Sequence, residues 1–216
     1  MYNDVTAIIL SGGKSTRMGG NKSLLLLDGK TVIEHVFDNM QSIFSNVILI
    51  TNQAEEYRFL GIEMFEDVFK YQGPLAGIHS GLYHSTTEKN FIISCDLPLM
   101  TKEMIEFIVD YETDKLITVT RADGFIQQLC GIYSKECVSA AEKLLASEVT
   151  ISGNHHNHKS KCQVLQLIDH VGAEIIGAGA IPYYEEGMFL NMNRKKDYEE
   201  VVKRLNLKFT ARASSV

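Results

Sequence analysis

A chain of 216 residues with 45% hydrophobic and 22% charged residues is sized for one globular domain with a substantial core. Its formal net charge of -6 argues against a long nucleic acid as partner, although a small anion needs only a local basic patch. No apolar run approaches membrane-spanning length, no basic region followed by a long apolar stretch opens the chain, and the cysteines at 95, 130, 137 and 162 form no CxxC pair, so a cytoplasmic protein with reduced thiols and no membrane partner is expected.

The first element is a short apolar strand, Thr6–Leu10, broken by Ser11-Gly12-Gly13 and followed within ten positions by Lys14, Arg17 and Lys22. A buried strand that delivers a glycine turn and three cations to a sheet edge suits a polyphosphate, because exposed N–H groups and positive charge favour the same anion. Glycine lets the backbone approach a phosphate closely. Two familiar motifs do not fit. The first glycine of a P-loop would fall on Ile8, and a dinucleotide GxGxxG fails at Lys14.

Thr31-Val32-Ile33-Glu34 has the form of a capping box and opens a helix whose apolar positions run from Val32 to Phe44 on one face. Val47–Thr51 is a second continuous apolar strand, and Ile62–Phe65 a shorter third, with Glu66-Asp67 at its end. Gly73-Pro74-Leu75-Ala76-Gly77 marks a tight helix start, with the helix running to about His84. Phe91–Cys95 is a fourth strand ending at Asp96-Leu97-Pro98, and Thr101 caps the next helix.

This alternation predicts a doubly wound α/β fold with a mostly parallel central sheet. Ligands bind such sheets outside the carboxyl ends of the strands, so the loops carrying Gly12, Asp67 and Asp96 should meet there. The second half is less regular. Leu116–Arg121 and Gln127–Tyr133 read as strands joined through Asp123-Gly124, Lys135–Ala146 as a helix, 147–162 as a polar loop and Gln163–Ile168 as a strand. Arg194–Leu205 reads as the final helix, and Thr210–Val216 as a frayed tail.

Asp96, at a strand's carboxyl end, is well placed to hold Mg²⁺, a hard cation that keeps few protein ligands; its bland alternative is a turn cap. Asp67 serves equally as a substrate contact or a loop-ordering residue. Phe189-Leu190-Asn191-Met192-Asn193 alternates apolar and amide residues, which predicts that both asparagine side chains share a strand face. They could complete a metal shell, or Asn193 could cap the following helix. His155, His156 and His158 near Cys162 lack the spacing of a zinc site and read as a solvated loop.

Taken together, LSGGKSTRMGGNK (10–22), GPLAG (73–77), CDLP (95–98) and FLNMN (189–193) resemble the molybdenum cofactor guanylyltransferases, the MobA proteins. The resemblance covers 6–110 well, 180–205 moderately and 120–178 little. It implies a three-layer Rossmann-like nucleotidyltransferase fold, with 1–110 as nucleotide half, 111–205 as acceptor half and 206–216 as tail. It also implies GTP, Mg²⁺ and a molybdopterin-type cofactor as reactants, with GMP transferred to the cofactor's terminal phosphate and pyrophosphate released.

The nucleotide loop then maps onto Leu10, Ser11, Gly12 and Gly13, the catalytic cations onto Arg17 and Lys22, the acidic nucleotide contact onto Asp67, and the metal site onto Asp96 and Asn193, with Asn191 beside it. Proteins that deliver or accept the cofactor are further expected partners. Ser11 stands where the family usually has Ala, Asn21 where Asp is usual, and Arg194-Lys195 where Thr-Pro is common. Rival readings are a cytidylyl- or uridylyltransferase acting on the same cofactor or a sugar or polyol phosphate, and a non-catalytic nucleotide-binding protein.

Overall fold

The structure, a computed structural model, describes residues 1–12, 21–151 and 163–213. In chain order the elements are β1 (Tyr2–Ser11), β2 (Leu26–Leu27), β3 (Lys30–Thr31), α1 (Val32–Ile43), β4 (Phe44–Thr51), β5 (Glu63–Phe65), α2 (Pro74–His84), β6 (Lys89–Ser94) and α3 (Lys102–Val109). The second half adds β7 (Ile117–Ala122), β8 (Phe125–Ser134), α4 (Cys137–Ile151), α5 (Gln163–Val171), β9 (Glu174–Gly177) and α6 (Lys195–Ala213).

Seven of these strands form one sheet in the order β5-β4-β1-β6-β8-β7-β9. The β5-β4-β1-β6 half is parallel throughout, β8 runs antiparallel to both its neighbours, and β9 is parallel to β7. Strand β1 explains why the sheet is covered on both faces. Val5, Ala7 and Ile9 point to a layer containing Ile33, Val36 and Met40 of α1 and Met104, Ile105 and Ile108 of α3. Ile8 and Leu10 point the other way, to Leu75, Ile78 and Leu82 of α2, Ala141 and Leu145 of α4, and Val164, Leu167 and Ile168 of α5. A strand with no polar alternation is the expected occupant of such a two-sided position.

Local signals hold where they were strongest. The Thr31–Glu34 capping box forms, with Glu34 N–H donating to Thr31 Oγ1 at 3.3 Å and Thr31 N–H to Glu34 Oε2 at 2.6 Å. Thr101 Oγ1 caps α3 by accepting from Met104 N–H at 3.3 Å. Gly73, at φ +72°, makes the left-handed entry into α2 that a side chain would resist, and Pro74 follows at the first helical position.

Four expectations change. Gln163–Ile168 is part of helix α5, because Val164, Leu167 and Ile168 are buried at helical spacing. Phe189–Asn193 is not a strand; its buried residues Phe189 and Met192, with Met188 just before them, anchor an irregular segment in two different cores. Helix α4 continues past the expected end at 146 to Ile151. Helix α6 reaches Ala213, so the tail expected from 206 is helical that far. The histidine group at 155–158, with Cys162, lies outside the described residues.

Candidate active site

Parallel strands β1, β4, β5 and β6 end at the same edge, and the carboxyl-end rule places the site there. Leu10 and Ser11 close β1 and are nearly fully buried, and exposed Gly12 follows. Among the described residues a Cβ on Gly12 would meet nothing within 4 Å; the demand for glycine argued from sequence is one that a bound phosphate would impose. Gly13 and Arg17 lie outside the described residues. Lys22 begins a single 3₁₀ turn, Lys22–Leu24, capped by Asn21, whose Oδ1 accepts from Ser23 N–H at 3.2 Å.

Asp96 stands just past β6. Cys95 N–H donates to Leu10 C=O at 3.0 Å, which fixes this strand end beside β1. The Asp96 side chain is 8% exposed, and its two oxygens have separate tasks. Oδ1 accepts from Ser94 Oγ at 2.6 Å, and Oδ2 forms an ion pair with Lys22 Nζ. The same ammonium donates to Asn193 Oδ1 at 2.8 Å. Residues 22, 96 and 193 are thereby drawn to one point.

Asn193 arrives there by packing. Met192 is fully buried with Leu27, Val32, Leu99 and Val201, and its N–H points at Asp96 C=O at 3.4 Å. Asp197 Oδ2 then accepts from Asn193 N–H at 3.0 Å and Arg194 N–H at 2.8 Å, starting α6. Asn191 contributes its main-chain carbonyl to Asn193 N–H at 3.0 Å. The asparagines do not share a strand face, and it is Asn193 that reaches the Lys22–Asp96 pair.

Asp67 forms a second station on the edge. Its Oδ2 accepts from Asn52 Nδ2 at 2.7 Å, and its N–H donates to Asn52 Oδ1 at 3.2 Å. A Cβ on Gly77 would sit 3.4 Å from Leu10 Cδ2 and 3.7 Å from Asp67 Oδ1, so the GPLAG segment packs directly behind this carboxylate. Burial pushes the Asp67 pKa up, against the lowering effect of the Asn52 hydrogen bond. Sequence reasoning passed over Asn52, which is the first residue beyond the VILIT strand and therefore on the ligand edge. Cys95 is no rival nucleophile: burial, then the neighbouring Asp96 charge, push its thiol up to about 12.

The arrangement offers one ammonium and two convergent oxygens, from a carboxylate and an amide. Two oxygens already sharing one cation are a fitting donor set for Mg²⁺, which takes oxygen ligands and retains waters or substrate phosphates for the rest. Among the described residues no group of three or more His, Cys, Asp or Glu side chains forms a fuller protein cage.

The sequence profile of the MobA-like NTP transferase domain matches residues 7–157. The chain is 36% identical over 207 residues to a Carboxydothermus hydrogenoformans protein named "Probable molybdenum cofactor guanylyltransferase", spanning 95% of this chain and 98% of that one. It is 28% identical over 200 residues to the molybdenum cofactor guanylyltransferase of Desulfosudis oleivorans, spanning 91% and 93% respectively. The solved molybdopterin-guanine dinucleotide biosynthesis protein A of Archaeoglobus fulgidus has the same fold, with a TM-score of 0.74 at 18% identity over 93% of this chain and 98% of that one.

Proposed function

This chain belongs to the MobA-like NTP transferase family, and on that premise we propose that it transfers GMP from GTP to the terminal phosphate of a molybdopterin-type cofactor. The observation that carries the reading is the meeting of Lys22, Asp96 and Asn193 at the carboxyl edge of the parallel strands. That edge is where a nucleotide's phosphates would lie.

An oxygen of the acceptor phosphate bonds to the α-phosphorus of GTP as the bond from that phosphorus to the bridging oxygen of the β-phosphate breaks. Pyrophosphate leaves with the electron pair. The acceptor phosphate is already ionised near neutral pH, so no side chain has to remove a proton. Lys22 neutralises the charge that gathers on the phosphates, and Arg17 is assigned the same task from sequence. Asp67 and Asn52 present an acceptor and a donor to the base. Asp96 and Asn193 would hold Mg²⁺, which when bound supplies Lewis-acid polarisation of the phosphate. Positioning and charge neutralisation carry the rate, as in phosphoryl transfer generally.

Cys95, Cys130 and Cys137 are unpaired thiols, which supports a reducing, cytoplasmic setting. No helix among the described residues is long and apolar enough to cross a membrane.

The test is to incubate the protein with Mg²⁺, molybdenum cofactor and each of GTP, CTP, UTP and ATP. A guanine dinucleotide product with stoichiometric pyrophosphate, formed fastest with GTP, is expected. Faster transfer from CTP, or nucleotide binding without pyrophosphate release, would overturn the reading.

A further inference from the structure

We propose that Tyr57 is a positioning residue for the nucleotide site: its buried hydroxyl ties the end of β1 to the turn that carries Lys22. The inference rests on the assignment of Lys22 to the phosphates. Tyr57 lies in a 3₁₀ helix, Ala54–Leu60, between β4 and β5. The residue is 1% exposed and belongs to the core that also contains buried residues of α1 and β1. Its hydroxyl lies 2.7 Å from Ser11 Oγ, 2.7 Å from Asn21 Nδ2 and 2.8 Å from Ser23 Oγ. Ser11 is the last residue of β1, and Asn21 and Ser23 flank Lys22.

The protons in this cluster can all be placed. Ser23 N–H must donate, so the Asn21 atom facing it is the oxygen and the Asn21 amide group faces Tyr57 and Glu56. The phenol oxygen accepts from Ser11 and Asn21, so its own proton goes to Ser23 Oγ. The Ser23 proton then goes to Asn21 Oδ1, at 2.7 Å. The second amide proton of Asn21 goes to Glu56 Oε2, at 2.6 Å. Each donor has one acceptor, and the arrangement fixes both neighbours of Lys22 to a side chain that cannot move without opening the core. A long, flexible lysine gains precision from such support, since its stem is otherwise free to rotate.

The cluster also specifies asparagine at 21. An aspartate there would turn a second carboxylate toward Glu56 and remove the donor to Tyr57. The charge conflict would be relieved by making Glu56 neutral.

The experiment compares wild type, Tyr57→Phe, Asn21→Asp and Asn21→Asp/Glu56→Gln. Affinity for Mg²⁺-nucleotide is measured by calorimetry, using whichever of GTP, CTP, UTP and ATP the wild type binds most tightly, and kcat and KM are measured for both substrates. Tyr57→Phe keeps the ring in the core and removes only the hydroxyl. It should weaken nucleotide binding about tenfold, the loss expected for one buried hydrogen-bond hub, with the acceptor KM within about twofold of wild type. Asn21→Asp should lose affinity at least as far, and adding Glu56→Gln should restore the part lost to the charge conflict but not the part lost with the donor to Tyr57.

Unchanged nucleotide affinity in Tyr57→Phe would overturn the proposal, as would a fall in kcat alone with a lowered melting temperature, which is what a purely structural tyrosine would give. A wild-type preference for another nucleotide would refute guanylyl transfer while leaving this test of Tyr57 intact.

Discussion

The two halves of the sheet build the site by different means. In the β5-β4-β1-β6 half, four site residues stand within a residue or two of a parallel strand's end, Ser11 on β1, Asn52 after β4, Asp67 after β5 and Asp96 after β6, while Lys22 comes in on a 3₁₀ turn beyond β1. The backbone ladder places them, as it does in any doubly wound sheet. From beyond β9, a single segment reaches back across the molecule, and Asn193 is placed by Met192 packing into a small core with Leu27, Val32, Leu99 and Val201. One half positions by hydrogen-bonded register, the other by a buried anchor. Damage to the first should cost chemistry with little stability, whereas damage to the anchor should cost both.

The largest expected effect is at Asp96. Asp96→Asn keeps the shape and removes the charge facing Lys22, so turnover should fall by about 10²–10³ or more while the melting temperature changes little; pyrophosphate release and thermal denaturation check the two parts. Met192→Ala tests the anchor. Deleting a fully buried methionine costs about 2–5 kcal/mol of stability, and the loosened Asn193 should lower kcat as well. If Met192→Ala lost stability but kept full kcat in the folded protein, the contrast between the halves would be broken. Asn193→Ala should lower kcat about tenfold without a comparable stability loss, by removal of one charge-assisted hydrogen bond to Lys22.

Asp67 gives the smallest and most discriminating effect. Its pKa is raised by burial above the ordinary 3.8, so its ionised form is the less favoured one in the folded protein. Its contribution to stability is therefore fully present below the unfolded value and is lost as pH rises through the folded one. Asp67→Asn, which can still accept from Asn52, should melt slightly higher than wild type at pH 7, with the gap closing as pH falls toward 4, while nucleotide affinity drops. Melting curves across that range check the sign; a gap that widens on acidification would contradict it.

The same contrast explains what could be read from the sequence. The four apolar runs ending at Leu10, Thr51, Phe65 and Cys95 carry local signals, and the carboxyl-end rule turns them into a common edge that holds Asp67 and Asp96. The common edge of the loops carrying Gly12, Asp67 and Asp96 was legible for that reason. Tyr57 and Asn52 were not, because nothing local distinguishes a tyrosine that holds β1 to a distant turn from one that fills a core. In the second half, five alternating residues at 189–193 looked like a strand because a period of two over so short a window does not separate a strand from an irregular segment. Gln163–Ile168 failed in the opposite sense: six residues were read as a strand, and the helical spacing of Val164, Leu167 and Ile168 emerged only with α5 and α4 packed on α2.

The most direct measurement is a double-mutant cycle on turnover between Lys22→Met and Asn193→Ala, residues 171 positions apart in the chain. If they act on the same phosphates through one contact, the double variant should be no more than about threefold slower than Lys22→Met alone. If the two losses instead multiply in full, the residues work independently, and the claim that both ends of the chain meet in one catalytic cluster is contradicted.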